Sequence, residues 1–271
     1  MAIRIVVGFL LLIPLFIELF FADLLILTLT ISLISVLAIQ EILGTTGFIK
    51  EKTLITYAMI FGGLVPVWVY FGYPNLPGIG TLVIFVILLF SSGLNHRSEV
   101  NFEKISAAFF SALIFPLFLS SVIRINSLET GKYVVLLPFI AAFITDTFAY
   151  FGGRLFGKRK LAPDVSPKKT IEGSIFGTAA AVVVSVIYAF IVSAFFEFHF
   201  NIWLLMLCTL ICSIVAQFGD LSMSFIKRSF KIKDFGAIIP GHSGILDRFD
   251  SLLFAAPVFE MMIIYLPLCV K

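Results

Sequence analysis

Apolar residues run in stretches of about 20 along this chain, separated by short polar breaks, and a stretch of that length crosses a bilayer as a helix. Nine are read, at about 4–21, 24–44, 54–71, 77–94, 105–124, 133–152, 173–195, 202–222 and 251–269. The first two are separated only by Ala22-Asp23, which implies a tight hairpin. The fourth follows the turn residues Pro74, Pro77, Gly78 and Gly80 and is the least regular of the nine. The predicted fold is all-α: a polytopic integral membrane protein of about nine transmembrane helices with two charged cytoplasmic loops. No internal repeat, low-complexity segment or soluble appendage interrupts the pattern.

Composition strengthens this reading. A soluble chain of 271 residues would form one or two domains, but 60% of these residues are hydrophobic and 32 are Phe, far above globular usage. The N-terminal run has one basic residue and no small-residue cleavage site after it, so it reads as a retained span rather than a signal peptide. Cys208 and Cys212 share a helix face inside an apolar run, and no His or carboxylate stands beside them at ligand spacing. They read as small buried hydrophobes rather than a metal site.

Charge adds orientation. With the N-terminus in the cytoplasm and nine alternating spans, 16 of the 19 Lys and Arg fall on the cytoplasmic side, and only Arg124, Lys132 and Lys271 fall outside. That bias is the one expected of a multi-pass protein of the cell membrane whose charged loops face the cytoplasm.

Charge also marks the chemistry. Only 13% of the chain is charged, yet the 31 residues from Asp220 to Asp250 include nine Lys, Arg or Asp. Charges of both signs clustered next to a bilayer point to a site. Basic groups suit phosphate oxygens and carboxylates suit a hard divalent cation, so the pair suggests phosphoryl or nucleotidyl transfer. If residues 216–228 stay helical, Asp220, Ser224 and Lys227 line one face. Asp247 and Asp250 enter the last span at i, i+3. Acids there also suit a helix N-terminus, but two acids with Arg248 and His242 nearby favour metal binding, with Asp220 and Asp247 as the leading ligands. His242 could be a base, a phosphate donor or a loop hydrogen-bonder, and spacing leaves these open. No GxxxxGK[ST], HExxH or GxSxG occurs in the chain, which excludes a P-loop and the common hydrolase motifs.

The second charged loop runs from Asp146 to Gly177. Asp146 lies inside an apolar span, where a lone carboxylate costs roughly 2.5–3.5 kcal/mol, so it needs Arg154, a neighbouring span, a cation or a water-filled cavity. Gly157, Pro163 and Pro167 make the following segment turn-rich. Ser166 or Thr170 could cap the next helix. Lys168 and Lys169, set among small polar residues, are candidate phosphate ligands. Lys158, Arg159 and Lys160 fit the topology rule and anionic lipid head groups.

At this point a family resemblance is carried by named residues. Ser224, Lys227-Arg228, Lys233-Asp234, Gly236, Pro240, His242, Gly244, Asp247-Arg248 and Asp250 resemble the signature of phosphatidate cytidylyltransferase, also called CDP-diacylglycerol synthase. Ser243 departs from it, standing where the family usually has Gly. The upstream loop is similar too, through Asp146, Ala149-Tyr150, Gly153-Arg154, Gly157, Leu161, Pro163, Ser166 to Thr170 and Glu172-Gly173, as is Gln217 to Leu221. The chain thus divides into apolar N-terminal spans (1–140, with Glu41 as one further point of likeness), a motif-bearing portion (141–251) and a last span (251–269) of a single polytopic unit.

The resemblance implies transfer of the cytidylyl group of CTP to phosphatidate, dependent on Mg²⁺ alone or on a pair of cations. It implies metal ligation by Asp220 and Asp247, with Asp146 weaker. Catalytic roles fall to Asp220, Asp247, Lys227, Arg228, Asp250 and His242, and substrate contacts to Lys168, Lys169, Thr170, Glu172, Ser224, Lys233, Asp234 and Arg248. CTP, phosphatidate and membrane lipid are the expected partners, without nucleic acid. A homodimer is compatible with small residues such as Gly62-Gly63 and Ala179 to Ala181. Two other readings compete: a CTP-dependent membrane lipid kinase, and a secondary transporter, which would favour two similar halves with broken helices.

Overall fold

The computed structural model describes residues 17–72, 76–95, 100–236 and 244–270. They divide into two compact units, one of Met1–Ser127 with Phe230–Arg248, the other of Leu128–Ser229 with Phe249–Lys271.

The first unit holds α1 (Leu24–Gln40), α2 (Lys52–Tyr70), α3 (Leu76–Asn95), α4 (Phe102–Leu119) and the short α5 (Ser121–Asn126). Helix suits these runs because a chain in hydrocarbon must satisfy its N–H and C=O groups internally. The start of α4 is fixed by Asn101, whose side-chain oxygen accepts the Lys104 amide at 3.0 Å, an N-cap. Gly62 on α2 lies where a side chain would strike Ile39 of α1 and crowd Pro116 and the Ala112 carbonyl of α4. The small residues Gly62-Gly63 are therefore used inside this unit, letting three helices approach closely. Phe61 and Phe85 stack at 4.2 Å between α2 and α3. The end of α1 widens into a π-helical turn, Glu41–Thr45, a device common at functional sites.

In the second unit the helix from Gly131 to Phe156 is irregular inside. It comprises α6 (Gly131–Val134), α7 (Leu137–Phe139), a π-helical turn (Ile140–Ile144) and α8 (Thr145–Phe156). Strands β1 (Lys160–Ala162) and β2 (Ser166–Thr170) form a small antiparallel hairpin, then α9 (Ile171–Phe195), β3 (His199–Phe200), α10 (Ile202–Ser229), α11 (Leu246–Tyr265) and β4 (Cys269–Val270) follow. The chain passes from the first unit to the second within α11. Helices α8 and α9 cross at glycine. A Cβ on Gly173 would lie 2.5 Å from the Ala149 carbonyl oxygen and 2.9 Å from the Gly153 backbone, and one on Gly177 would lie 2.9 Å from Ala149 Cβ. Cys208 and Cys212 are buried in α10.

Among the described residues seven helices are long and apolar enough to cross a membrane: Leu24–Thr45, Lys52–Tyr70, Pro77–Asn95, Phe102–Asn126, Gly131–Phe156, Ile171–Phe195 and Ile202–Ser229. They match the seven central runs of the sequence, and the fold is an all-α, multi-spanning membrane fold. Most of the first run, 4–21, lies outside the described residues. The last run, 251–269, is helical only as far as Tyr265, within α11. Two differences have local causes. The turn-rich segment after Gly157 forms the β1–β2 ribbon, in which Pro167 is tolerated because a two-stranded ribbon leaves an unpaired edge. Helix α10 runs seven residues past the apolar run, to Ser229, which keeps Asp220, Ser224 and Lys227 on one helix face. It ends where Lys231 adopts a left-handed backbone, φ 57°.

Candidate functional site

The second unit contains a cleft of about 450 Å³ walled by α8, the β1–β2 ribbon, the start of α9 and the stretch of α10 around Gln217 and Asp220. Arg154, Lys168 and Lys169 supply positive charge, and Asp146 and Asp220 supply negative charge. Between them lie Tyr150, Ser166, Thr170, Ser174 and Gln217. Local sequence builds these walls. Thr170 ends β2 and caps α9, its hydroxyl oxygen accepting the Gly173 amide at 3.2 Å. The same hydroxyl presses on Gly153 and Gly157, where a side chain would leave it no room. Glu172 accepts the Lys158 and Arg159 amides at 3.0 and 3.1 Å, so it tethers the loop before β1.

Each acid of the site has a close partner. Lys169 Nζ pairs with Asp220 Oδ2, and Ser224 Oγ reaches Asp220 Oδ1 at 3.4 Å. Ser251 on α11 donates its hydroxyl to Asp146 Oδ2 at 2.5 Å and its amide to Asp250 Oδ1 at 2.8 Å. Asp250 and Lys227 are both nearly buried, 7% and 8% exposed. Asp146, Asp220 and Asp250 are close enough for their charges to act on one another, and Lys169 and Lys227 offset part of that repulsion. Asp146 and Asp220 are the two carboxylates that line the cleft itself. Among the described residues no three His, Cys, Asp or Glu side chains form a closed ligand cage. Mg²⁺ takes one or two carboxylates and completes its shell with phosphate oxygens and water, and Asp146 and Asp220 are the carboxylates the cleft could offer it. Among the described residues neither Arg154 nor Lys168 has an ion-pair partner, and Arg228 Nε donates to the Val165 carbonyl at 3.2 Å.

A second cluster belongs to the first unit. Glu41, wholly buried in its π-helical turn, accepts the Ile245 amide at Oε1 and the Leu246 amide at Oε2, both at 2.8 Å. Asp247 Oδ2 accepts the Phe235 amide at 2.9 Å and the Gly244 amide at 3.1 Å. Gly236 and Gly244 lie against the Glu41 carboxylate, and a Cβ on Gly236 would sit 2.7 Å from Oε1. The two carboxylates thus clamp both ends of the loop that leads into α11. Lys233, Asp234 and Arg248 are exposed around it. His242, Ser243 and Pro240 lie outside the described residues.

Of the residues singled out from sequence, the cleft gathers Asp146, Lys168, Lys169, Thr170 and Asp220, with Ser224, Lys227 and Asp250 alongside in the same unit. Asp247, Lys233, Asp234 and Arg248 belong to the loop of the first unit. In the sequence Gln217 stood out only within the family-like run Gln217 to Leu221 and Glu41 only as one further point of likeness near a span end, while Ser174 carried no signal. The signal available for Gln217 was its place one turn before Asp220 on the same helix.

The chain is similar to known proteins. A sequence model described as the cytidylyltransferase family matches residues 2–266. A curated phosphatidate cytidylyltransferase of Rickettsia prowazekii is 40% identical over 188 residues, 68% of this chain and 82% of the relative. Those of Staphylococcus haemolyticus and Staphylococcus aureus are 48% and 44% identical over 134 residues, 49% of this chain and half of each relative.

Proposed function

The chain belongs to the cytidylyltransferase family, and on that premise we propose that it transfers the cytidylyl group of CTP to phosphatidate. A phosphate oxygen of the lipid attacks the α-phosphorus of CTP, the bond from that phosphorus to the bridging oxygen breaks, and pyrophosphate leaves. The product is CDP-diacylglycerol. The observation that carries this reading is the cleft of the second unit, where Arg154, Lys168 and Lys169 face Asp146 and Asp220 beside apolar helices. Such a site receives a polar triphosphate and a lipid head group whose acyl chains stay in the bilayer.

No protein nucleophile is required, so the residues position and neutralise. Lys168, Lys169 and Thr170 hold CTP phosphates or the lipid head group, and Lys227, Arg228, Lys233 and Arg248 hold phosphates or the leaving pyrophosphate. Ser224 keeps Asp220 oriented, and Glu172 keeps the loop before β1 in place. Asp220 would hold Mg²⁺, with Asp146 and Asp250 beside it, and Asp247, held by two loop amides, is the other proposed ligand. When bound, Mg²⁺, as one ion or two, supplies positive charge to the phosphate oxygens. His242 and Asp234 are proposed as further phosphate-contacting or orienting groups. The enzyme spans the cell membrane nine times with this site facing the cytoplasm, as the placement of Lys and Arg supports. Nucleic acid has no part in this scheme, and a homodimer is compatible with it.

The test uses protein in detergent with phosphatidate, Mg²⁺ and CTP labelled on cytosine or on the γ-phosphate. Cytosine label should enter lipid with pyrophosphate release, and Asp220→Asn should lower the rate by roughly 10²-fold or more, the scale of losing one electrostatic contact to the transition state. γ-Label in lipid would show a lipid kinase instead. Absence of lipid labelling under any divalent cation would return the reading to a transporter.

A further inference from the structure

The floor of the cleft is held from below by a chain of neutral polar groups that the phosphate chemistry does not use. Thr145 on α8 hydrogen-bonds Ser213 on α10 at 2.6 Å. Ser213 Oγ donates to Thr178 Oγ1 on α9 at 2.9 Å, and Gln217 Nε2 donates to the same Thr178 oxygen at 2.9 Å. Three helices are thereby tied through hydroxyls, and the chain ends at one side-chain amide. Gln217 is 8% exposed, and what it exposes lines the cleft.

An amide has two donors on nitrogen and an acceptor oxygen. One Nε2 hydrogen goes to Thr178, and Oε1, on the other arm of the amide of this cleft-lining residue, has no protein partner among the described residues. A nearly buried acceptor needs a donor from whatever binds. Phosphatidate offers ester and phosphate oxygens, which are acceptors. Inorganic phosphate groups of the nucleotide offer the same. The donors in the proposed reaction are the 4-amino group of cytosine and the ribose hydroxyls. Uracil carries an oxygen where cytosine carries that amino group, so it would set acceptor against acceptor.

We propose that Gln217 reads the base of the nucleotide, its Oε1 accepting a hydrogen bond from the 4-amino group of cytosine, with Thr178 holding the amide in that orientation. Gln217 is then the residue that selects CTP over UTP. This rests on the reading of the chain as a CTP-using transferase. It places the base on the floor near α10, one helical turn from Asp220, and the phosphates toward Lys168 and Lys169 at the ribbon. A site built to hydrogen-bond a substrate group rejects the analogue lacking that group far more strongly than an apolar pocket rejects a missing methylene.

The experiment measures kcat/KM with CTP, UTP and dCTP, and KM for phosphatidate, in the wild type, Gln217→Leu and Thr178→Val. Each variant's melting profile in detergent is recorded alongside. The expected result is a fall of at least tenfold in the CTP-to-UTP ratio for Gln217→Leu and a smaller fall for Thr178→Val, with dCTP behaving as CTP and the KM for phosphatidate unmoved. A ratio preserved while all nucleotides weaken together would overturn the assignment and leave Gln217 as a packing residue. Selective loss against dCTP would move the contact to the ribose, and a raised KM for phosphatidate would move it to the lipid; either result also overturns it. A wild type that turns over no nucleotide sinks the transferase reading along with this one. A wild type that uses CTP while the variants keep its ratio sinks this one alone.

Discussion

Glu41 sits fully buried in a run of apolar residues, with both carboxylate oxygens taken up by backbone amides of Ile245 and Leu246. Its removal would leave two buried N–H groups without acceptors, at about 1–3 kcal/mol each. Glu41→Ala should therefore lower stability to denaturant in detergent, and Glu41→Gln should lower it less, since Oε1 can still serve one amide. Equal stability of Glu41→Ala and the wild type would refute the clamp. At this scale the sequence was readable where chemistry concentrates. Lys168, Lys169, Asp146 and Asp220 stood out as charges beside apolar runs, and the structure gathers them in one cleft. The role of Glu41 was not legible, because its partners are backbone groups 204 and 205 positions away and leave no side-chain pattern. Gln217 was hidden for a related reason. Its side chain is held by the Thr178 hydroxyl of α9, which also accepts from Ser213, and neither hydroxyl is remarkable in its own segment.

The crossing of α8 and α9 sets the cleft's shape, because Asp146, Tyr150 and Arg154 come from one helix and Thr170 and Ser174 from the end of the other. Glycine makes the crossing close. A methyl on Gly173 would meet backbone, which cannot swing aside, at 2.5 and 2.9 Å. Gly173→Ala should cost about 1–3 kcal/mol of stability through overpacking and reduce transfer. Gly80→Ala on α3, where nothing lies within 4 Å, should leave both unchanged. Melting in detergent and the cytosine-label assay would check the contrast, and a harmless Gly173→Ala would mean the helices are free to separate. The seven central helices were legible because their apolar runs have the length of a bilayer. The β1–β2 ribbon was not. Pro163 and Pro167 signalled a turn correctly, but pairing of Lys160 with Thr170 and Ala162 with Ser166 is a cross-strand relation that such short strands do not announce.

For the whole molecule, the placement of Lys and Arg predicts sidedness. In a Cys269→Ser background, Asp164→Cys between β1 and β2 and Lys132→Cys in α6 lie at opposite ends of the helix Gly131–Phe156 and are both exposed. An impermeant thiol reagent applied to intact cells should label Lys132→Cys and spare Asp164→Cys until the membrane is broken. The reverse pattern would invert the orientation and put the cleft outside. Cys208 and Cys212, buried in α10, should stay silent throughout. Orientation is what charge counting leads one to expect, and this labelling decides it. The division into two units was not legible in the sequence, since the first unit takes residues from both ends of the interval that forms most of the second.

That division gives the Glu41 clamp a history during synthesis. The acid enters the membrane early, but Ile245 and Leu246 are made more than 200 residues later. At 5–20 residues per second the interval is roughly 10–40 s. Throughout it the first unit lacks the loop that completes it, and its buried carboxylate must take a proton, find water or borrow another donor. The sequence separation of this contact makes closure of the loop before α11 a late event: the first unit is completed only when the start of α11 reaches a residue made more than 200 positions earlier.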